Sequence, residues 1–166
     1  MRFISPKIDY GFKKIFGSSQ SESILISFLN AIIYNGENII QSWKIINPYN
    51  PGQIESLKDT YLDVQATLSD NSTVIIEMQT SRMQAFDKRV AYNLCKSYAN
   101  QLEIEEACFL LNPIIAVTIT DFLMFKENQK VINRFVYKEE TDNFVYKGAE
   151  LKFIFLELPK FNKKLE

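Results

Sequence analysis

The sequence predicts an α/β fold with a mixed central sheet flanked by helices. Two helix-like segments come first, and three strand-like segments then follow in close succession. A long amphipathic segment separates the last of these strands from a β-branched run at residues 114–120. A short turn between strands favours antiparallel pairing, whereas an intervening helix favours a parallel crossover. Both kinds of pairing are therefore expected in one sheet, with helices on both faces.

The two leading helices are predicted from apolar spacing and from the residues that end them. Residues 8–16 carry Phe12 and Phe16 one helical turn apart and stop at a glycine. Residues 21–34 place apolar side chains three and four positions apart and stop at an Asn-Gly pair. Such spacing is typical of a helix with one buried face, and glycine is common just after a helix ends.

The strands are predicted from alternation and from β-branched content. Residues 42–47 are rich in strand formers and stop at a turn cluster of Pro, Asn and Gly, residues 48–52. Residues 59–68 and 73–79 alternate apolar and polar side chains around a short polar turn, which predicts a hairpin. Two further strands are predicted near the end of the chain, over residues 131–137 and 151–158.

A long helix is predicted over residues 82–102, with several cations along its polar face. The run that follows, residues 114–120, is β-branched apart from one alanine and mostly apolar, as in a strand buried on both faces. No repeat, linker or low-complexity tract divides the chain. Residues 1–166 are therefore expected to form a single domain.

Composition narrows the chemistry and the compartment. The chain has 166 residues, 46% hydrophobic and 23% charged, which suits one packed domain. It has no histidine and only two cysteines, without a Cys-x-x-Cys pair, which excludes a conventional zinc site and argues for a reducing, cytoplasmic location. No apolar run reaches the roughly 20 residues of a membrane helix, so no membrane partner is expected. A net charge of −1 means that nucleic acid would have to bind at a local basic patch.

The predicted hairpin carries the acids that point to a functional site. Asp63 lies on the polar face of the first strand, while Glu77 and Gln79 share the polar face of the second. A register that sets Asp63 across from Glu77 or Gln79 requires an odd-length turn and gathers the three groups. Two adjacent carboxylates repel each other unless a divalent cation lies between them. A solvated sheet face is the other interpretation of the same acids.

Five short motifs carry a family resemblance. In chain order they are SPKIDYGFKKIFG (residues 5–17), LDV (62–64), IEMQ (76–79), KRVAY (88–92) and TITDF (118–122). Together they resemble the PD-(D/E)XK nuclease family of transposases, which includes recombination-promoting nucleases. The order α-β-β-β-α-β is similar to the core of the restriction-endonuclease-like fold. The similarity extends over nearly the whole chain.

The resemblance implies a divalent-metal-dependent DNA endonuclease linked to mobile-element transposition and recombination. Asp63, Glu77 and the main-chain carbonyl of Met78 would hold Mg²⁺, with Mn²⁺ as the other candidate ion. Such an ion lowers the pKa of a bound water and stabilises charge on the scissile phosphate, which makes a histidine base unnecessary. DNA is the expected partner, and a homodimer formed through the C-terminal strands is a further hypothesis.

Gln79 stands where the wider superfamily has a lysine, and an amide cannot neutralise developing charge. Arg89 and Lys96 on the following helix are the candidates for the missing cation, with a solvated helix face as the alternative. Asp9 either adds to the acidic cluster or caps the first helix. Because Gln79 replaces lysine, a catalytically inactive domain that binds DNA or a protein partner is the alternative function.

Overall fold

The computed structural model shows a β-sheet between two helical layers. It describes residues 5, 7, 9–16, 21–46, 49–50, 60–61, 63–103, 107–148 and 150–161. Its α-helices are α1 (Asp9–Phe16), α2 (Glu22–Ile33) and α3 (Phe86–Ala99). Its strands are β1 (Trp43–Ile46), β2 (Tyr49–Asn50), β3 (Thr60–Tyr61), β4 (Val64–Leu68), β5 (Thr73–Gln79), β6 (Ile114–Thr120), β7 (Ile132–Phe135) and β8 (Leu151–Glu157).

Six strands form one mixed sheet in the order β1-β4-β5-β6-β8-β7, and β2 and β3 form a separate pair. β4 and β5 are an antiparallel hairpin, whereas β5, β6 and β8 run parallel to one another. Helix α3 makes the crossover from β5 to β6, and β7 pairs antiparallel at the far edge. The predicted mixed sheet, with a hairpin and a helical crossover, is confirmed.

Apolar clusters cover both faces of this sheet. On one face, Phe12 of α1 and Leu25 of α2 pack against strand residues such as Ile76. On the other face, α3 packs through an apolar stripe that includes Val90 and Leu94. Every residue of β6 is buried, as predicted for a strand covered on both sides. Each fully buried aliphatic side chain contributes about 1.5–3 kcal/mol, so these two clusters hold the layers together.

The structure shortens several predicted segments. Helix α3 begins at Phe86 and not at residue 82, because Ala85 has a left-handed φ of 55° that interrupts helical geometry. Asn50 lies in a short strand where a turn was predicted. The first hairpin strand, predicted over 59–68, is divided into β3 and β4. Glu77 and Gln79 lie on β5 as predicted, whereas Asp63, predicted on the first hairpin strand, lies in a bend just before β4.

None of the described helices is long and apolar enough to cross a membrane. The longest of them, α3, has 14 residues.

Candidate active site

The β4–β5 hairpin sets Asp63 across from Glu77. Its register pairs Val64 with Ile76, one step inside the two acids. Residues 69–71 form the turn, and a 2.8 Å backbone hydrogen bond between the flanking residues closes it. Glu77 lies on the α3 side of the sheet, where Asn93 contacts it. Asp63 precedes the first residue of β4, so strand alternation does not assign it to a face. The odd-length turn is confirmed, and the register, continued one residue beyond β4, sets Asp63 opposite Glu77 and not Gln79.

Asp63 accepts a hydrogen bond from the neighbouring strand and reaches solvent. Its Oδ2 accepts a 2.8 Å hydrogen bond from the backbone N–H of Met78, across the hairpin. Its Oδ1 lies 3.9 Å from Nζ of Lys13 on α1, and its side chain is 24% exposed. The carboxylate is therefore oriented by the neighbouring strand, yet it remains accessible to a ligand that arrives from outside.

Glu77 is buried and only half satisfied. The residue is 7% exposed, and its Oε1 accepts a 2.6 Å hydrogen bond from Nδ2 of Asn93 on α3. Its Oε2 is buried and finds no hydrogen-bond donor within the described part of the chain. The guanidinium of Arg89 is near, with Nη2 at 4.0 Å from Oε2. A buried carboxylate oxygen without a hydrogen-bond donor lowers the stability of the fold. This atom is therefore a candidate ligand for a cation.

The electrostatics of Glu77 follow from its burial. Loss of solvent raises the pKa of its carboxyl above the ordinary value. The hydrogen bond from Asn93 and the charge of Arg89 lower that pKa, while the charge of Asp63 raises it, and burial prevails. A positive ion beside Glu77 would favour the ionised form, because it would offset the loss of solvation.

Gln79 and Arg89, both predicted as site residues, contact each other. Nη2 of Arg89 donates a 2.8 Å hydrogen bond to Oε1 of Gln79, whose Nε2 donates to the carbonyl of Ser81 at 3.0 Å. The guanidinium lies 5.2 Å from the ring centre of Phe86, and Nη1 lies 3.8 Å from Sδ of Met83. Held from several sides, the Arg89 side chain is still 43% exposed. It is therefore a fixed cation that faces solvent beside the acid pair.

The other predicted residues are placed less directly. Lys96 is buried, one helical turn beyond Asn93, and its Nζ lies 5.9 Å from the ring centre of Tyr92. Its role in the site stays a prediction. Asp9 is the first residue of α1, but its side chain lies outside the described part of the structure.

Asn93 is the contact that the sequence analysis missed. It lies four residues after Arg89, on the helix face that also carries Val90 and Leu94. A polar residue on the apolar face of an amphipathic helix is a signal that sequence alone contains, because its amide must find a partner when the face is buried. Here that partner is Glu77.

The available donors suit a hard divalent cation. Asp63, Glu77 and the main-chain carbonyl of Met78 offer only oxygen, the donor that Mg²⁺ prefers. The described residues contain no group of three His, Cys, Asp or Glu side chains arranged to hold a metal. Two carboxylates are nevertheless enough for Mg²⁺, which usually takes one or two and fills its remaining positions with water and substrate oxygens. The Oε2 atom of Glu77, buried and without a hydrogen-bond donor among the described residues, fits such an ion.

Comparison with known proteins identifies the family. A sequence model of the family described as PD-(D/E)XK nuclease family transposase matches residues 6–166. No curated protein and no solved structure matches the chain. The mixed sheet with helices on both faces agrees with the restriction-endonuclease-like fold expected from the motifs. The chain therefore belongs to the PD-(D/E)XK nuclease family of transposases.

Proposed function

We propose that this chain is a divalent-cation-dependent DNA endonuclease that serves transposition or recombination, with residues 1–166 acting as one catalytic domain. Family membership supports a nuclease role. The observation that carries the proposal is the buried Oε2 of Glu77, which has no hydrogen-bond donor among the described residues and lies across the hairpin from Asp63. Two acids in this arrangement stabilise each other poorly unless a cation joins them.

The cation site would consist of Asp63, Glu77 and the main-chain carbonyl of Met78, with Mg²⁺ or Mn²⁺ as the ion. A bound ion of this kind supplies Lewis-acid stabilisation of the charge that develops on the scissile phosphate. The hydrogen bond from the backbone N–H of Met78 fixes Asp63, so the ligand is oriented before substrate arrives. The free thiols of Cys95 and Cys108 fit action in a reducing cytoplasm, where DNA is the substrate.

Gln79 and Arg89 would together replace the lysine of the wider superfamily, which neutralises developing negative charge. The neutral amide of Gln79 cannot offset negative charge, but its Oε1 holds Nη2 of Arg89 at 2.8 Å. Guanidinium binds two phosphate oxygens at once, and here it is exposed and oriented by its neighbours. Arg89 would therefore bind the scissile phosphate directly. Lys96, buried one turn beyond Asn93, would add positive potential to the same helix face.

A second candidate function is binding of DNA or a protein partner without cleavage. The observation that favours it is Gln79 itself, because the site then lacks a cation on the strand that carries Glu77. On this alternative, replacement of either acid would leave binding intact. A homodimer also stays a prediction, and sedimentation equilibrium of the purified protein would measure it.

The first test is nicking of supercoiled plasmid DNA by the purified protein with Mg²⁺ or Mn²⁺. Asp63→Asn and Glu77→Gln keep the size of each side chain and remove its charge. Each should lower the nicking rate by at least about 100-fold, because a lost ligand costs more than the 10- to 100-fold typical of residues that only support ligands. EDTA should abolish the activity.

Glu127→Gln is the matched control, since Glu127 is an exposed acid on a loop outside the site. It should nick at the wild-type rate. Nicking that persists in both site variants would refute the proposed site. Retained DNA binding with no nicking by the wild-type protein would instead establish the binding function.

A further inference from the structure

We propose that Asn93 is a positioning residue of the cation site, whose amide N–H orients Glu77 so that Oε2 is presented to the cation. The inference rests on the proposed function and assigns a new residue to it. Asn93 does not touch the reacting atoms in this scheme; it acts through the carboxylate that it holds.

The first observation is a short hydrogen bond between two buried groups. Nδ2 of Asn93 donates to Oε1 of Glu77 at 2.6 Å, and Asn93 is 3% exposed. A hydrogen bond to a carboxylate is about twice as strong as one between neutral groups, and water cannot easily replace the donor at this depth. The bond therefore restricts rotation of the Glu77 carboxyl group.

The second observation is that two buried oxygen atoms have no hydrogen bond. Oε2 of Glu77 and Oδ1 of Asn93 are both buried, and neither has a hydrogen-bond donor among the described residues. Turning the Asn93 amide over would not help, because its oxygen would then face Oε1 of Glu77 and repel it. The amide is thus chemically committed to its orientation, and one buried acceptor oxygen without a hydrogen bond remains on each of these two contacting residues. Acceptors in such a place fit a cation and the water that accompanies it.

The third observation is the rigid placement of Asn93. It lies in the middle of α3, between Val90 and Leu94 of the apolar cluster that joins the helix to the sheet. Arg89, one turn earlier, is 4.0 Å from Oε2 and gives its own hydrogen bond to Gln79. Among the described residues, Asn93 is therefore the side-chain hydrogen-bond donor to Glu77, and its backbone is fixed by packing. Groups that hold a ligand from a rigid element are what give a metal site its affinity.

The test measures Mn²⁺ binding to the purified full chain by the EPR signal of free Mn²⁺. The variants are Asn93→Ala and Asn93→Leu, the second of which keeps the buried volume if the first fails to fold. Each should weaken Mn²⁺ binding by about 10- to 100-fold. Nicking by Asn93→Leu should recover as Mn²⁺ is raised, whereas nicking by Glu77→Gln should not, since only the first variant retains the ligand.

Asn133→Leu is the matched control, because Asn133 is likewise buried and donates to a glutamate, Glu157, at 2.9 Å. It should lower stability but leave Mn²⁺ affinity within about twofold of wild type, as expected for a separate site. Wild-type affinity in both Asn93 variants, with Mn²⁺ binding lost in Glu77→Gln, would overturn the inference and leave the proposed function standing. Absence of Mn²⁺ binding to the wild-type protein would overturn both.

Discussion

Two glutamates are buried in this sheet, and they differ in how many hydrogen bonds their carboxylates accept. Glu157, at the end of β8, is fully buried, and its two oxygens accept four hydrogen bonds. Two come from the backbone N–H groups of Met124 and Phe125, one from Asn133 and one from the ammonium of Lys160. Glu77, near the end of β5, accepts one hydrogen bond and has an oxygen with none.

The difference separates a carboxylate whose hydrogen bonds are complete from one whose oxygen is available to the proposed cation. The partners of Glu157 come from the loop after β6, from β7 and from the turn after β8, so this one side chain joins three segments of chain. Its lone pairs are occupied, and it has no capacity for a cation. Glu77 opposes another acid and keeps a buried oxygen without a hydrogen bond, which costs stability. On the proposed function, that oxygen would bind the cation.

The largest effect on stability is expected at Glu157. Glu157→Gln keeps the shape but leaves the ammonium of Lys160 buried without a counter-charge, at a position where the pair is now 2.6 Å apart. Removing one partner of a buried ion pair typically costs about 3–5 kcal/mol. The free energy of unfolding, measured by urea denaturation, should fall by that amount, and Glu127→Gln on the exposed loop should change it little.

A loss no larger than that of the loop variant would contradict this assignment. It would mean that the four hydrogen bonds of Glu157 are replaced by water in the variant. Glu157 would then have no stronger structural role than an exposed acid.

At Glu77, by contrast, replacement by glutamine is expected to raise the stability of the fold. Because burial raises its pKa, the folded protein keeps a proton that the unfolded chain, with an ordinary value near 4.5, has already released. Stability must therefore fall as the pH rises from 4.5 through the raised pKa. Glu77→Gln removes this dependence. In EDTA, the melting temperature of the variant should exceed that of the wild type increasingly as the pH rises, over the window that calorimetry can follow.

The cation should reverse that trend. On the proposed function it would bind the ionised carboxylate, so Mn²⁺ should stabilise the wild-type protein at the higher pH and leave Glu77→Gln unchanged. If the difference in melting temperature between the two proteins is the same at every pH in EDTA, ionisation of the buried Glu77 does not destabilise the fold.

The contrast between these glutamates also shows what sequence could reveal. The register that opposes Asp63 to Glu77 was predictable, because strand side chains alternate with a period of two and the parity of the turn decides which pairs face each other. The buried strand β6 was predictable from its β-branched run. Both are properties of short stretches of chain.

The polar network of Glu157 is a property of distant segments and could not be predicted in the same way. Residues 151–158 appear as a plain strand in the sequence, and the partner Asn133 lies 24 positions away. Its contact depends on β7 reversing direction to pair with β8, which no local pattern specifies. The helix boundary at Phe86 was missed for a related reason, since the left-handed Ala85 is set by tertiary context and not by residue type.

A third acid, Asp70, has several hydrogen-bond partners but is exposed, so it shows whether burial or the number of partners sets the cost of losing a contact. The smallest change in stability is expected here. The oxygens of Asp70 accept hydrogen bonds from the hydroxyl of Tyr34 and from the backbone and hydroxyl of Ser72, but the residue is exposed at the hairpin turn. Partial burial acts to raise the pKa of Asp70, and the hydrogen bonds outweigh it and hold the pKa below its ordinary value. Burial, the hydrogen bond to Asp70 and its charge raise the pKa of Tyr34 to about 12.

Tyr34→Phe removes the 2.8 Å hydrogen bond to Asp70 and leaves the ring. The free energy of unfolding should fall by about 0.5 kcal/mol, the lower end of the usual range, because water can replace the lost donor at an exposed acid. The difference from wild type should be complete below pH 10, and it should shrink and then reverse as the pH rises towards 12. The unfolded wild-type chain ionises its tyrosine before the folded protein does, whereas phenylalanine does not titrate. A loss as large as that of Glu157→Gln would show that the number of partners, and not burial, sets the cost of breaking an acid's contacts.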